Sequence, residues 1–362
     1  MIEFKEFDKT LLVLVVTIFI LGLFFLHSAS YTKSLELERS FVLRQIIWML
    51  MGILILAMIC LVDYQKVIDL GYFIYVIGLL LLLLVLFLGR ARLGAQRWFT
   101  IGGFGIQPSE FMKIFYIIVM ASYLGHTRAE LVNAKGLLTP ILLTAIPFVL
   151  ILMQPDLGTA FILIPIFLAM LFVAGAQFRH LFCILICGLM ASPLFWNFLR
   201  MYQKKRLLVF LNPNIDPLGA GYTIIQSKIA IGSGGLFGKG WLSGTQSQLN
   251  FLPERHTDFI FSVVGEEWGF IGAIAVVGLY FLMLKRGIRI IDRTTDIYGK
   301  LLGTGIITML GFQIFVNIAM TIGLMPVVGL PLPLVSYGGS SLWTTLIAIG
   351  LLLNVGMRRT RF

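Results

Sequence analysis

Residues 248–267 read QLNFLPERHTDFIFSVVGEE, and within this stretch the chain passes from charge to a long apolar run. The polar and ionisable side chains lie between Glu254 and Asp258, directly before the apolar segment. Charged groups this close to lipid are costly and are usually retained for chemistry or ion handling. The pattern predicts a charged site at the edge of a membrane protein, with Asp258 as the candidate reacting carboxylate.

The composition around this stretch is typical of a protein whose solvent is lipid. The 362 residues are 59% hydrophobic and 12% charged, with a mean hydropathy of +0.96, whereas soluble domains are about 25% charged. A spanning helix needs about 20 mostly apolar residues. Segments of that kind run near 10–29, 42–62, 67–88, 108–125, 137–153, 157–175, 181–201, 265–285, 301–323 and 341–357. We therefore predict an all-α polytopic membrane protein with about ten transmembrane helices.

The distribution of Lys and Arg predicts the orientation of these helices. Cytoplasmic loops carry an excess of both residues, and here the rich loops lie on the side of both termini. We therefore predict that both termini are cytoplasmic. Segment 202–264, between the seventh and eighth spans, is set aside because long loops cross regardless of charge. It is predicted to be the one large outer loop of a single membrane domain that covers 1–362.

The predicted outer side is nonetheless basic, against the usual bias. Its basic residues are Arg90, Arg92, Arg97, Arg200, Lys204, Lys205, Arg206, Lys228, Lys239 and Arg255. Anchoring in lipid headgroups is the simpler explanation for any one of them. Together they favour an anionic partner at the outer leaflet, such as a phosphorylated lipid. Nucleic acid is excluded because none is available on that side of the membrane.

Two polar interruptions near the spans supply further candidates. The fourth span opens with QPSE at 107–110, and Lys113 follows Glu110 by three residues, so the two charges share a helix face and can pair. The pair is either structural and self-satisfied or functional, and its position inside a span favours function. The turn 154–159 contains Asp156, which either only caps the next helix or joins the other carboxylates on the outer side.

Other polar patterns are less specific. The glycine-rich run 231–240 invites a phosphate-loop interpretation, which fails because Ser233 and Gly240 stand where that motif needs Gly and then Ser or Thr. Its glycines are predicted to allow sharp turns or close approach to a ligand. The 4 His are scattered without metal-ligand spacing, so no zinc site is predicted. Segment 326–341, rich in Pro and Gly, is either a wall of an outer cavity or an ordinary turn.

A series of motifs, in order along nearly the whole chain, resembles those of the SEDS (shape, elongation, division and sporulation) family. They are GAQRW at 94–98, QPSE at 107–110, QPDLGT at 154–159, the segment 216–228, FLPERHTD at 251–258 and PLPLVSYGGS at 331–340. The segments 230–235 and 240–251 resemble the elongation members more than the division members. Trp268 stands where the family pattern leads us to expect Leu, outside the proposed site.

The resemblance implies a peptidoglycan glycosyltransferase of the bacterial cytoplasmic (inner) membrane. Its substrate would be lipid II, an undecaprenyl-diphosphate-linked disaccharide pentapeptide. Asp258 matches the family's essential outer-loop Asp, Glu110 and Lys113 match its fourth-span pair, and Asp156 matches its Asp between the fifth and sixth spans. The implied partner is a class B penicillin-binding protein, a transpeptidase, within the elongation machinery. Alternatives are a lipid II flippase, a division-specific member of the family, and a scaffold for cell-wall proteins.

The chemistry of a diphosphate leaving group fits this set of side chains. Glycoside hydrolysis usually takes two carboxylates because the leaving alkoxide must be protonated, whereas diphosphate leaves as a stable anion and needs cations instead. We therefore expect Asp258 to act as general base on the acceptor hydroxyl, with inversion at the anomeric carbon. A divalent cation, Mg²⁺ or Mn²⁺, is expected to assist, with no ligands assigned. The side chains expected to bind substrate are Arg97, Gln107, Glu110, Lys113, Asp156, Lys228, Arg255 and His256.

Overall fold

The computed structural model describes residues 7–31, 35–92, 95–101, 104–127, 131 and 134–358. Within them the chain is predominantly helical, with short 3₁₀ turns at Ala134–Leu137 and Pro213–Ile215. The α-helices are α1 (Lys9–Ser30), α2 (Leu35–Leu61), α3 (Tyr64–Asp69), α4 (Gly71–Leu88), α5 (Pro108–His126), α6 (Leu138–Met153), α7 (Leu157–Ala174), α8 (Phe178–Phe198), α9 (Met201–Leu211), α10 (Ala220–Ser233), α11 (Thr245–Gln248), α12 (Ile260–Arg293), α13 (Ile297–Thr321) and α14 (Gly339–Arg358).

Each predicted span coincides with a helix, so the helical polytopic class is confirmed. In the described part of the chain, 7 helices are long and apolar enough to cross a membrane, namely α1, α2, α4, α7, α12, α13 and α14. Helix α6 and the apolar part of α8 are shorter, and α5 carries the predicted ion pair. The third predicted span is divided between α3 and α4 at Leu70. The number of about ten spans stays a prediction.

A small antiparallel sheet between α4 and α5 was not predicted. Its strands are β1 (Arg90–Arg92), β2 (Ala95–Ile101) and β3 (Phe104–Ile106), in the order β1-β2-β3. Thr100 lies opposite Gly105, and the Trp98 ring packs 3.1 Å from the place where a Cβ on Gly105 would stand. Such short strands leave too few residues for an alternating pattern to be recognised. The sheet matters because β2 carries Arg97 into the site.

The helices divide into a buried centre and a lipid-facing shell. In the most apolar stretches of α13 and α14, 61% and 89% of the residues are buried inside the protein. Helices α5 and α7 pack beside them. Helices α1, α2 and α4 expose large apolar side chains, with Phe87 of α4 81% exposed. Exposure of this kind is favourable only where lipid replaces water. Polar groups are therefore expected only in the centre, where other protein groups can bind them, and at the helix ends.

The predicted outer loop 202–264 contains α9, α10 and α11, and its glycine-rich run packs against α12. A Cβ on Gly238 would collide with the backbone carbonyl of Glu267, so only glycine allows this approach. Lys239 Nζ lies 2.9 Å from Oε1 of Glu266, which is fully buried. The lysine that suggested a phosphate loop therefore neutralises a carboxylate of the protein itself.

Candidate active site

Asp258 lies in a tight turn directly before α12 begins at Ile260. The Glu254 carbonyl accepts hydrogen bonds from the N–H of Thr257 at 3.1 Å and of Phe259 at 3.3 Å. Glu254 adopts a φ of 50°, in the left-handed region that few non-glycine residues occupy. Such a conformation persists only when the surrounding structure holds it. The turn therefore fixes Asp258 at the mouth of the helix bundle.

The carboxyl group of Asp258 is a weaker acid than an ordinary aspartic acid. Displacement of water by the surrounding protein raises its pKa to about 6, and the charges of Glu254 and Asp156 add to the rise. Arg206 and Arg97 act in the opposite direction. The residue as a whole is partly exposed, and none of the described residues donates a hydrogen bond to its carboxylate. A reachable carboxylate with a pKa near the working pH is suited to general base catalysis.

The segment 326–338 supports this turn from the side of α13. Backbone carbonyls of the turn accept hydrogen bonds from Ser336 Oγ at 2.5 Å and from Tyr337 N at 2.9 Å. Gly329, with a φ of 75°, lies so close that a Cβ on it would stand 3.3 Å from Oδ2 of Asp258. The structure therefore favours the interpretation as a wall of the site over that of an ordinary turn.

Asp156 is the centre of a second polar cluster. Its carboxylate caps α7 by accepting from Thr159 N at 3.3 Å, and it also accepts from Gln107 Nε2 at 2.9 Å. Arg97 Nη1 lies 3.8 Å from Asp156 Oδ1, and Arg97 Nε donates to the Gln154 carbonyl at 2.9 Å. Both predicted roles are therefore present together: Asp156 caps a helix and joins the charges near Asp258.

Glu110 and Lys113 form the predicted ion pair inside the bundle, with 2.9 Å between Oε2 and Nζ. The Lys113 side chain has no accessible surface, and that of Glu110 has 4%. Lys113 Nζ also lies 3.3 Å from Oε1 of Gln313. The attraction between two buried charges offsets their cost of desolvation only when further hydrogen bonds are made to them. Gln313 supplies one such bond. Direct contact of Lys113 with substrate stays a prediction.

The remaining predicted substrate residues lie around the turn. Arg255 Nε donates to the Ala29 carbonyl at 2.5 Å, and burial lowers the pKa of Arg255. Burial also lowers the pKa of His256, which lines a cleft of about 310 Å³ together with Arg255. Lys228 is exposed on α10. Contacts of these residues with substrate stay predictions. The predicted basic side chains outside the described residues are those of Arg90 and Arg92.

Gln313 and Asn317 were not singled out from the sequence, and Arg206 was predicted only as one of the outer basic residues. Arg206 of α9 donates to the 326–338 segment at 3.3 Å. Gln313 and Asn317 of α13 donate to the same segment at 3.0 and 2.7 Å. These two amides interrupt an apolar helix at positions four apart, so they share one face. Polar groups inside spans mark functional sites, and that signal could have identified both.

The expected divalent cation has no ready-made site in the described part of the chain. No group of three or more His, Cys, Asp or Glu side chains there is arranged to hold a metal ion. Mg²⁺ prefers octahedral oxygen coordination and usually keeps several waters while binding one or two carboxylates and substrate phosphates. The described residues therefore do not fit a resident cation held by protein alone.

Comparison with known proteins identifies the family to which the chain is similar. The FtsW/RodA/SpoVE family model, described as a cell cycle protein, matches residues 9–361. The peptidoglycan glycosyltransferase RodA of Treponema pallidum is 36% identical, covering 98% of each chain. The peptidoglycan glycosyltransferase MrdB of Escherichia coli K12 is 38% identical, covering 97% of this chain and 94% of its own.

A solved structure leads to the same family. It is a chain from work on a peptidoglycan synthase complex that coordinates polymerization and crosslinking, and it superposes with a TM-score of 0.84 at 37% identity. The superposition covers 98% of this chain and 99% of that one. Because the family model and both relatives match over nearly the full length, the chain belongs to the SEDS family, which includes FtsW, RodA and SpoVE.

Proposed function

We propose that the chain is a peptidoglycan glycosyltransferase that polymerises lipid II into glycan strands during cell elongation. Its family membership and the activity named for both relatives support this function. The observation that carries the proposal is Asp258, a partly exposed residue whose carboxyl has a pKa raised to about 6 and lies within the electrostatic reach of Arg97 and Arg206. A multi-pass membrane bundle that ends in such a group is suited to a lipid-linked substrate.

Asp258 acts as the general base. It accepts the proton of the acceptor sugar hydroxyl while that oxygen forms a bond to the anomeric carbon of the donor. The bond from that carbon to the diphosphate oxygen breaks, and the diphosphate leaves with the electron pair. Attack from the face opposite the diphosphate inverts the anomeric centre. Base catalysis of this kind contributes roughly 10²–10⁴-fold.

Cationic side chains stabilise the departing diphosphate. Arg97 donates hydrogen bonds to the backbone carbonyls of residues 154 and 155, and 21% of its side-chain surface is exposed. A guanidinium held in place before the reaction needs no reorganisation as charge develops. Arg206 lies on the same side of the site, and Lys228 and Arg255 provide further positive charge around it. A divalent cation, Mg²⁺ or Mn²⁺, is proposed to bind together with the diphosphate. The phosphate oxygens would then supply the ligands that the protein lacks.

We further propose that the reaction occurs at the outer face of the bacterial cytoplasmic membrane, with both chain termini in the cytoplasm. The excess of Lys and Arg on the loops next to the termini supports this orientation. A class B penicillin-binding protein is the proposed partner. The similar solved chain belongs to a complex that couples polymerization to crosslinking, which supports a transpeptidase at its side.

The test is glycan-chain formation from purified lipid II in detergent. Wild type, Asp258→Ala and Asp258→Asn are compared, each with a divalent cation and with a chelator. Asp292→Asn is the matched control, since it makes the same chemical change at an exposed position near the far end of α12. We expect long chains from the wild type and the control, and a loss of at least 100-fold in both Asp258 variants.

Three results would contradict the proposal in whole or in part. Polymerisation by well-folded Asp258→Asn at the wild-type rate would remove Asp258 from the centre of the reaction. If no protein makes chains even with the cognate penicillin-binding protein added, lipid II movement across vesicle membranes becomes the assay, and movement without lengthening would establish the flippase alternative. A requirement for division proteins rather than elongation proteins would identify a division-specific member.

A further inference from the structure

Two buried amides lie on the face of α13 that meets the site. Gln313 and Asn317 are 2% and 0% exposed, and they are four residues apart, which places them one above the other on the helix. Side-chain amides are uncommon inside apolar helices because an unsatisfied polar group there is costly. Both polar atoms of Gln313 and the Nδ2 of Asn317 are hydrogen-bonded, whereas Asn317 Oδ1 has no hydrogen-bond partner among the described residues.

Asn317 connects the turn of Asp258 to the 326–338 segment. Its Nδ2 donates both protons to backbone carbonyls, one to Asp258 at 3.0 Å and one to Leu330 at 2.7 Å. Leu330 follows Gly329, which lies against the Asp258 carboxylate. One amide thus fixes the backbone of the reacting residue and the backbone that its side chain touches.

Gln313 continues this arrangement one helical turn earlier. Its Nε2 donates to the Pro331 carbonyl at 3.0 Å, and its Oε1 accepts from Lys113 Nζ at 3.3 Å. Lys113 is in turn held by Glu110 at 2.9 Å. The buried ion pair on α5 therefore orients Gln313, and consecutive carbonyls of the 326–338 segment are held by one face of α13.

We propose that Asn317 is a positioning residue for Asp258, and that Gln313, oriented by the Glu110–Lys113 pair, acts with it. This inference rests on the proposed function, since it assigns a role in placing the base of that reaction. It also assigns the Glu110–Lys113 pair a role, the orientation of Gln313, that requires no contact with substrate. A displacement of about 1 Å at a reacting group can cost about 10²-fold in rate, so a loss of the amide is expected to act mainly on kcat.

The first experiment compares Asn317→Ala with Asn354→Ala in the purified full-length protein. Asn354 is the matched control because its buried Nδ2 also donates to two backbone carbonyls, those of Ile59 and Val62, at the other end of the bundle. For Asn317→Ala we expect kcat to fall about 10- to 100-fold, with KM for lipid II changed less than about twofold. Asn354→Ala is expected to keep both constants per folded molecule.

The pH–rate profile separates positioning from simple loss of structure. The charged groups that face Asp258 are Glu254 of its own turn, Asp156 before α7, Arg97 of β2 and Arg206 of α9. A looser turn lets more water surround the Asp258 carboxyl and weakens the effect of burial that raises its pKa, so the acid limb of the profile should move to lower pH in Asn317→Ala. Unfolding of part of the sample would lower the amplitude without moving this limb.

Two further variants keep the proposal testable if Asn317→Ala does not fold. Gln313→Ala should give a smaller fall in kcat in the same direction, and Asn317→Ser, which keeps one donor, should recover part of the loss. Wild-type kcat and an unmoved acid limb in folded Asn317→Ala or Gln313→Ala would overturn the inference. Asp258→Asn in the same series distinguishes the outcomes: if it stays active, the proposed function fails, and if only the amide variants stay active, the positioning role alone fails.

Discussion

The two ends of the helix bundle use buried polar side chains in different ways. At the end where α14 finishes, Asn354 donates to the carbonyls of Ile59 and Val62, and Arg358 donates to the same region and lies 3.4 Å from Asp63. At the other end, Asn317 donates to two carbonyls in the same manner. Each amide thus links its own helix to the backbone of another segment.

The difference lies in what remains after these bonds are made. Arg358 has Asp63 as its counter-ion, so the charges at that end neutralise each other. Asp258 is partly exposed as a residue, and its carboxylate accepts no hydrogen bond from the described residues and has a pKa raised to about 6. Buried polar groups that are paired with one another therefore indicate a structural role. A carboxyl with a shifted pKa and no hydrogen-bond donor, surrounded by such paired groups, indicates a functional site.

The largest effect is expected from breaking the ion pair that supports this frame. Lys113→Ala leaves the Glu110 carboxylate buried without its cation, and removing one partner of a buried pair costs about 3–5 kcal/mol. We expect a large fall in thermal stability together with a loss of polymerisation. Both are measured on protein that still inserts into the membrane. Wild-type stability and activity in Lys113→Ala would show that the pair supports neither.

A smaller effect is expected at the opposite end of the bundle. Asn354→Ala removes the hydrogen bonds that this amide donates to the carbonyls of Ile59 and Val62, and each such bond contributes about 0.5–1.5 kcal/mol. The melting temperature should fall while the rate per folded molecule stays at the wild-type value. A change in the acid limb of the pH profile in this variant would break the distinction between scaffold and site.

The fold was largely predictable because lipid imposes a simple rule. Long apolar runs must become helices, since backbone groups have no other partner in a bilayer, and each predicted span is indeed helical. The small sheet of β1, β2 and β3 was not predicted because its short strands lie between the long apolar runs, where that rule does not apply. The division of the third predicted span at Leu70, between α3 and α4, is a second local feature that this rule does not predict.

The site was predictable where charge interrupts apolar sequence. Asp258, Asp156 and Arg97 come from separate motifs, and the structure brings them within electrostatic reach of one another. The roles of Gln313 and Asn317 could not be read from the sequence in the same way. Their partners are backbone carbonyls of a segment whose path depends on the tertiary fold, and carbonyls leave no residue-specific signal.

The pH dependence tests the unsatisfied carboxylate directly. The base must be ionised, so activity should be nearly complete at pH 7 and fall as the pH drops through the Asp258 pKa of about 6. At pH 5 we expect about one-tenth of the pH 7 rate, since one pH unit below the pKa leaves about a tenth of the group ionised. Full activity at pH 5 in glycan-chain assays would show that the reacting base titrates elsewhere.

The smallest effect separates charge from geometry at the edge of the site. Arg97→Lys keeps the positive charge near Asp258 but loses the fork that binds the carbonyls at 154 and 155. We expect kcat to fall about three- to tenfold without movement of the acid limb. Arg97→Met removes the charge as well, and because Arg97 lowers the pKa of Asp258, its loss should move the limb to higher pH. Identical limbs in the two variants would mean that Arg97 acts on the reaction through its backbone contacts alone, and the outer cluster would then be scaffold of the same kind as that around Asn354.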